Sequence, residues 1–185
     1  MQILQIRSSV AGFLVLGIAL AGCAEPANQA AMVPGQIALA PSSSPYKQNI
    51  SSVSGFGGEE TNPLWTSEIS KEEFQKALEA SIKRAGLYSD RGRYSLRADI
   101  LSVEQPLVGL DLKVTMTVRY NLTDANGRIR FDETITSEYT ATFSEAFVAI
   151  ERLKKANEGV ARENISKFLK RVGVSASGGS VAAIS

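Results

Sequence analysis

The sequence predicts an α+β fold, a two-layer sandwich in which an antiparallel sheet of three to four strands carries two helices on one face. Three observations carry this. Residues 110–122 alternate apolar and polar without a break, the period of a half-buried strand. Two stretches, 74–85 and 147–169, repeat apolar residues at helical spacing. Between the strand and the second helical stretch, Asp124-Ala125-Asn126-Gly127 is a hairpin signal. A sheet with one apolar face must be covered, and two amphipathic helices are the available cover.

The elements follow in the order β-α-β-β-β-α. Asn49 to Ser54 forms a first short strand. The first helix starts after Ser70, because Ser70 and Glu73 make an S-x-x-E capping box and Ile69 and Phe74 sit where a hydrophobic staple would. Phe74, Ala77, Leu78, Ile82 and Ala85 line one face, and Gly86 followed by Leu87 ends it. Tyr94, Leu96, Ala98 and Ile100 then alternate with polar residues until Pro106 and Gly109. The longest strand places Leu110, Leu112, Val114, Met116, Val118, Tyr120 and Leu122 on one side. Its return carries Ile129, Phe131, Ile135 and Tyr139, with Glu133 and Ser137 interrupting the row where the strand would run past the core.

From Ser144 the period is helical again. Phe147, Ile150, Leu153, Val160, Ile165, Phe168 and Leu169 form the stripe, and Glu151, Arg152, Lys154, Lys155 and Arg162 lie off it. Asn157 and Gly159 fall near its middle, which predicts a bend or loosened packing there. The polar face of the sheet would present Thr115, Thr117, Thr134, Thr136, Thr140 and Thr142 with Lys113, Arg119 and Arg97. That face reads either as a solvated surface or as a binding platform.

The chain of 185 residues begins with a single basic residue, Arg7, and an apolar run from Val10 to Leu20 that ends on small residues and Cys23. This is the layout of a secretory signal peptide. The run is too short for a membrane span, which needs roughly 20 apolar residues. Cys23 is the only cysteine, so the folded part has no disulfide and depends on its core. From Ala24 to Pro45 the composition turns to Ala, Pro, Ser, Gln and Asn, with prolines at 26, 34, 41 and 45. Residues 23–45 are therefore expected to be a flexible tether, spanning about 25 Å on average. Residues 46–172 make one domain of ordinary size, and the Ser/Gly-rich residues 173–185 a disordered tail.

Composition excludes several chemistries. The chain has no histidine, so Ser-His-Asp, Cys-His and His-zinc sites are unavailable. The glycines lack the spacing of a phosphate loop. Net charge is +1, and loss of Arg7 with the signal peptide would leave the mature chain nearly neutral, which disfavours nucleic acid as a partner. The chain therefore reads as non-enzymatic, without a metal or cofactor. The least ordinary stretch is Gly57-Gly58-Glu59-Glu60-Thr61-Asn62-Pro63-Leu64-Trp65. Its Trp65 is either a plug under a loop or the anchor of a recognition loop with Glu59 and Glu60. Lys113 and Arg119 are the corresponding candidates on the sheet.

The run Leu20-Ala21-Gly22-Cys23 resembles the lipobox of bacterial lipoproteins; the alternative is an ordinary signal peptide, residues 1–22, with a chance cysteine beyond it. The resemblance implies that Cys23 becomes the mature N-terminus, with diacylglycerol on its sulfur and a further chain, such as palmitate, on its amine. Together with the helix Phe74 to Gly86, the hairpin Leu110 to Tyr139 and the closing helix from Ser144 to Leu169, the order of elements resembles small envelope lipoproteins. It is similar to the YajG-like group and, more loosely, to the lipoprotein partner of the lipopolysaccharide-assembly barrel. Ala24 after the cysteine then implies sorting to the outer membrane, with the domain facing the periplasm. The function implied is that of a binding or assembly module for an envelope protein or glycoconjugate. The alternative is an auxiliary lipoprotein of an envelope lipid or lipopolysaccharide transport system, which would need an apolar cavity near Asn157 and Gly159.

Overall fold

A computed structural model describes residues 26–58, 68–106 and 109–174. The strict alternation of residues 112–122 becomes the centre of the sheet. Strand β3 spans Leu112–Asp124, and Leu112, Val114, Met116, Val118, Tyr120 and Leu122 are all buried. Leu110 lies before the strand and is exposed. The hairpin turn forms as expected: Gly127, at φ 73°, donates its amide to Asp124 O, and the Asp124 carboxylate accepts from the amides of Asn126 and Arg128. Strand β4, Ile129–Ala141, returns antiparallel to β3. Ser137, expected where this strand leaves the core, is instead fully buried opposite Met116. The core continues along β4 as far as Ala141.

Strand β2, Tyr94–Glu104, pairs antiparallel with the other side of β3, and a bulge after Ile100 turns Leu101 outward. Strand β1, Ile50–Gly57, completes a sheet of order β1-β2-β3-β4. The α+β architecture is as the sequence predicts, with one difference. β1 pairs β2 in parallel, so the sheet is mixed. The reason is the crossover: helix α2, Lys71–Arg84, lies between them and carries the chain back to the starting end.

α2 is defined by its ends. Ser70 Oγ accepts from the Glu73 amide at 3.3 Å, the N-cap half of the capping box, while the Glu73 carboxylate accepts from Lys76 at 2.6 Å. At the other end Gly86, at φ 68°, donates to Lys83 O, and Leu87 donates to Ile82 O at 2.9 Å. Those two bonds make a complete Schellman motif, and Leu87 is buried against the last turn.

Helix α3, Ala149–Arg171, lies beside α2 and packs on β3 and β4. It begins later than its periodicity suggests. Phe147 and Val148 precede it, so Phe147 is not on the helical period and stands 76% exposed rather than in the core. Arg152, expected on the polar face, is buried because its guanidinium turns back to Ala146 O at 2.6 Å, Phe147 O and Gly109 O. α3 runs as one helix through Asn157 and Gly159, and both are buried, so the packing there is close rather than loosened. Gly159 is there for closeness: a Cβ at this position would stand 2.3 Å from the Tyr139 ring. The ring packs directly against the helix backbone at this point.

The core of this layer includes a polar clasp. Asn164 is fully buried; its Nδ2 donates to Ile135 O at 2.9 Å and Met116 O at 3.3 Å, and its Oδ1 accepts from Tyr120 at 2.8 Å. The Tyr120 ring stacks on Phe168, with centroids 4.3 Å apart, and Phe131 meets Phe168 edge-on.

The largest departure from expectation is in residues 26–45, which are a strap rather than a flexible tether. Ala27 donates to Glu68 O, at the end of the sheet where β1 and β2 finish. Asn28 donates to Glu158 Oε1 and caps a single helical turn, α1, Gln29–Met32. Arg162 of α3 donates to Ala31 O at 2.8 Å, and Arg84 of α2 to Pro34 O and Gly35 O. Ala40 then donates to Ala85 O at the opposite end. Ala27, Met32 and Ala40 are buried, and Val33, Ile37 and Ala38 pack on the core. The composition is irregular because the strap is not a repeating element. Its backbone carbonyls are satisfied by two arginines instead of a ladder. At the far end, Val174 of the expected 173–185 tail is buried beside the domain's last residue, Val172; residues 175–185 lie outside the described residues.

A tether would tolerate truncation of its side chains, whereas a packed strap would not. Met32→Ala should therefore lower the unfolding free energy of the mature chain by about 2–4 kcal/mol, read as a shift in the denaturation midpoint with an unchanged m-value.

Candidate functional site

The outer face of the sheet gathers Lys113, Arg119 and the threonines on neighbouring strands, because every second residue of β3 points there. Across the β3–β4 ladder these side chains pair with one another. Arg119 holds Asp132 through two bonds, at 2.8 and 2.6 Å, on the diagonal of the register. Lys113 lies 2.7 Å from Glu138. Thr117 and Thr136, directly opposite, share a hydroxyl hydrogen bond of 3.0 Å. On β2, Arg97 binds Asp99 and lies 3.8 Å above the Phe56 ring. The face is thus a mosaic of internally compensated charges, and both Lys113 and Arg119 are engaged within it.

The electrostatics follow from these pairs. The Arg119 guanidinium holds the Asp132 carboxyl below the ordinary carboxylate range. Arg130 does the same to Asp124, helped by the amides of the turn. In the core, burial pushes the Tyr120 phenol well above its ordinary value, so it remains a neutral donor to Asn164.

Cys23, Glu59, Glu60 and Trp65 lie outside the described residues. What is described is the place from which their segments leave. Gly58 approaches Ile69 so closely that a Cβ would stand 2.7 Å from Ile69 O, so the residues flanking 59–67 lie against each other. Glu68 accepts from the Ala27 amide and from Gln105 Nε2. The neighbours of Cys23, of Trp65 and of residues 107–108 therefore meet at one end of the sheet. A shallow cleft of about 250 Å³, lined by Gly58, Glu68 and residues 100–103, opens there. The sheet candidates Lys113 and Arg119 are not gathered into it.

Sequence reasoning missed Asn164, Arg152 and the strap contacts. Only Arg152 carries a signal, an arginine in the first turn of α3, five residues after Phe147. Among the described residues no group of three or more His, Cys, Asp or Glu is placed to hold a metal ion, and no helix is long and apolar enough to cross a membrane.

Comparison with protein-family models and with curated proteins finds no match. Among solved structures, the chain is similar to protein XCC0632 of Xanthomonas campestris, assigned to DUF330, with a TM-score of 0.51 at 10% identity over 74% of this chain and 91% of that one. It is also similar to hypothetical protein CT253 of Chlamydia trachomatis, with a TM-score of 0.50 at 9% identity over 68% and 95% of the two chains. A putative lipoprotein from Caulobacter crescentus aligns with a TM-score of 0.46 at 18% identity over 66% and 86%. At these identities the first two likenesses show the fold alone.

The ion pairs of the sheet face have a defined acid response. Because Asp132 and Asp124 are held below their ordinary values, their contribution to stability is complete above the unfolded carboxylate pKa, about 4. It is lost as pH falls through the lower folded-state values. Arg119→Ala should lower the denaturation midpoint at pH 7 by the small amount expected for an exposed pair and leave it nearly unchanged near pH 2. It should also flatten the acid limb of stability against pH, measured by denaturation between pH 6 and 2.

Proposed function

We propose that this chain is a bacterial envelope lipoprotein, acylated on Cys23 and anchored in the outer membrane, with its domain facing the periplasm. The observation that carries the reading is Leu20-Ala21-Gly22-Cys23 at the end of an apolar run of signal-peptide length. Two or more acyl chains would hold the protein stably, since each buried methylene contributes about 0.8 kcal/mol. The domain then acts as a non-enzymatic binding or assembly module, in the manner of the YajG-like lipoproteins. An envelope protein or glycoconjugate is its partner, and it takes no nucleic acid. The absence of histidine from the sequence and the commitment of its one thiol to lipid support the non-enzymatic part. The internally paired charges of the sheet shift the weight of partner recognition from Lys113 and Arg119 to the end of the sheet from which the Trp65 segment leaves.

Growth with a clickable palmitate analogue, followed by mass spectrometry of the mature N-terminus, tests the anchor. The wild-type chain should begin at Cys23 and carry acyl mass. Cys23→Ser should accumulate as an unlabelled, uncleaved precursor, and normal maturation of that variant would overturn the reading.

A further inference from the structure

At the end of the sheet where the strap begins, four apolar side chains stand in solvent. Leu110 is 75% exposed and Phe147 76%, with Phe143 and Val148 beside them in sequence and also exposed. They form one patch. Phe143 and Phe147 meet edge-on with centroids 5.2 Å apart, and the Arg152 guanidinium lies over Phe143 while bonding Gly109 O and the carbonyls of Ala146 and Phe147. Asp111 Oδ1 accepts from the Phe143 amide, tying the approach to β3 to the exit from β4. The patch is therefore braced on a rigid frame. Val148 is also the N-cap of α3 and makes no side-chain capping bond, at a position where a polar residue is the rule.

The occupant follows from where Ala27 is held, close in sequence to Cys23. Pro26 and Ala27 lie at this same end, beside Glu68 and Gln105, and β3 and α3 both begin here. Cys23 is three residues before Pro26, a reach of at most about 11 Å. With the strap packed down the length of the helical layer, no long tether remains to lift this end away from an anchor on Cys23. We infer that Leu110, Phe143, Phe147 and Val148 dock the domain directly into the lipid surface, end-on, beside its own acyl anchor. Exposed aromatic and aliphatic side chains on a braced support suit the boundary between headgroups and acyl chains. The inference rests on the anchor proposed above and adds an orientation to it. The β3–β4 turn points away from the membrane, and the Trp65 segment leaves from the membrane-proximal end.

The test uses the lipidated mature protein, its acyl mass verified, in vesicles of phosphatidylethanolamine and phosphatidylglycerol. The thiol of Cys23 is consumed by lipid, so a nitroxide can be placed singly at Ser144→Cys, within the patch, or at Asn126→Cys, on the opposite turn. The ratio of oxygen to nickel-chelate accessibility should be several-fold higher at position 144 than at 126. Replacing both Leu110 and Phe147 with Ser should bring position 144 down to the value at 126 while the acyl mass is unchanged. An aqueous label at 144 on acylated protein would overturn the docking and leave the anchor standing. Spin-spin broadening at 144 that persists in detergent would identify a second copy as the occupant and overturn it as well. A mature protein without acyl mass on Cys23 would overturn both readings.

Discussion

Helix α3 is gripped from both sides, and the rest of the molecule is arranged around that grip. Toward the sheet, Asn164 reaches two strand carbonyls and the Tyr120 hydroxyl. Two residues earlier, Arg162 reaches the strap at Ala31 O. Inside a protein each such bond contributes modestly when made but costs about 1–3 kcal/mol for each buried group left unpaired. Sliding α3 by one turn would orphan groups on three elements at once. The clasp therefore sets the register of the helix against the sheet, and the contact of Gly159 with Tyr139 admits only that register.

The covering of α3 by the strap decides how the domain is presented. Arg84 and Arg162 hold the same segment from α2 and α3, so the strap ties the two helices together across their outer surface. It starts at the sheet end that carries Glu68 and finishes at Ala85. A segment so bound cannot serve as slack. Any anchor upstream of Pro26 must act on one end of the domain, the end that also carries the exposed patch and the neighbours of the Trp65 segment.

Much of this was legible from residues alone, for physical reasons. The alternation of β3, the capping box of α2 and the Asp124 turn are local signals, and local physics decides them. Other features depend on partners far away in sequence. The parallel pairing of β1 was hidden because its serines and glycines carry little pattern. The strap's proline-rich composition suggests freedom, whereas Met32 and Ala40 are buried by helices some 40 residues or more downstream. The helical period reaches back to Phe147, one residue past the true N-cap at Val148. Asn164 was invisible because a polar residue on an apolar stripe announces nothing until its acceptors are known. Of the candidate site residues, Lys113 and Arg119 were correctly placed on the outer face, but their carboxylate partners could be named only from the register.

With the anchor proposed on Cys23, the packed strap would rest the domain end-on against the bilayer. Neutron reflectometry of the lipidated protein on a supported bilayer tests it most directly. The expected result is a protein layer that starts at the headgroups with no hydrated gap and extends roughly 40 Å, the length of a strand of β3's size. A water-filled gap of about 20 Å or more between headgroups and protein, as a free 23–45 tether would give, would contradict it.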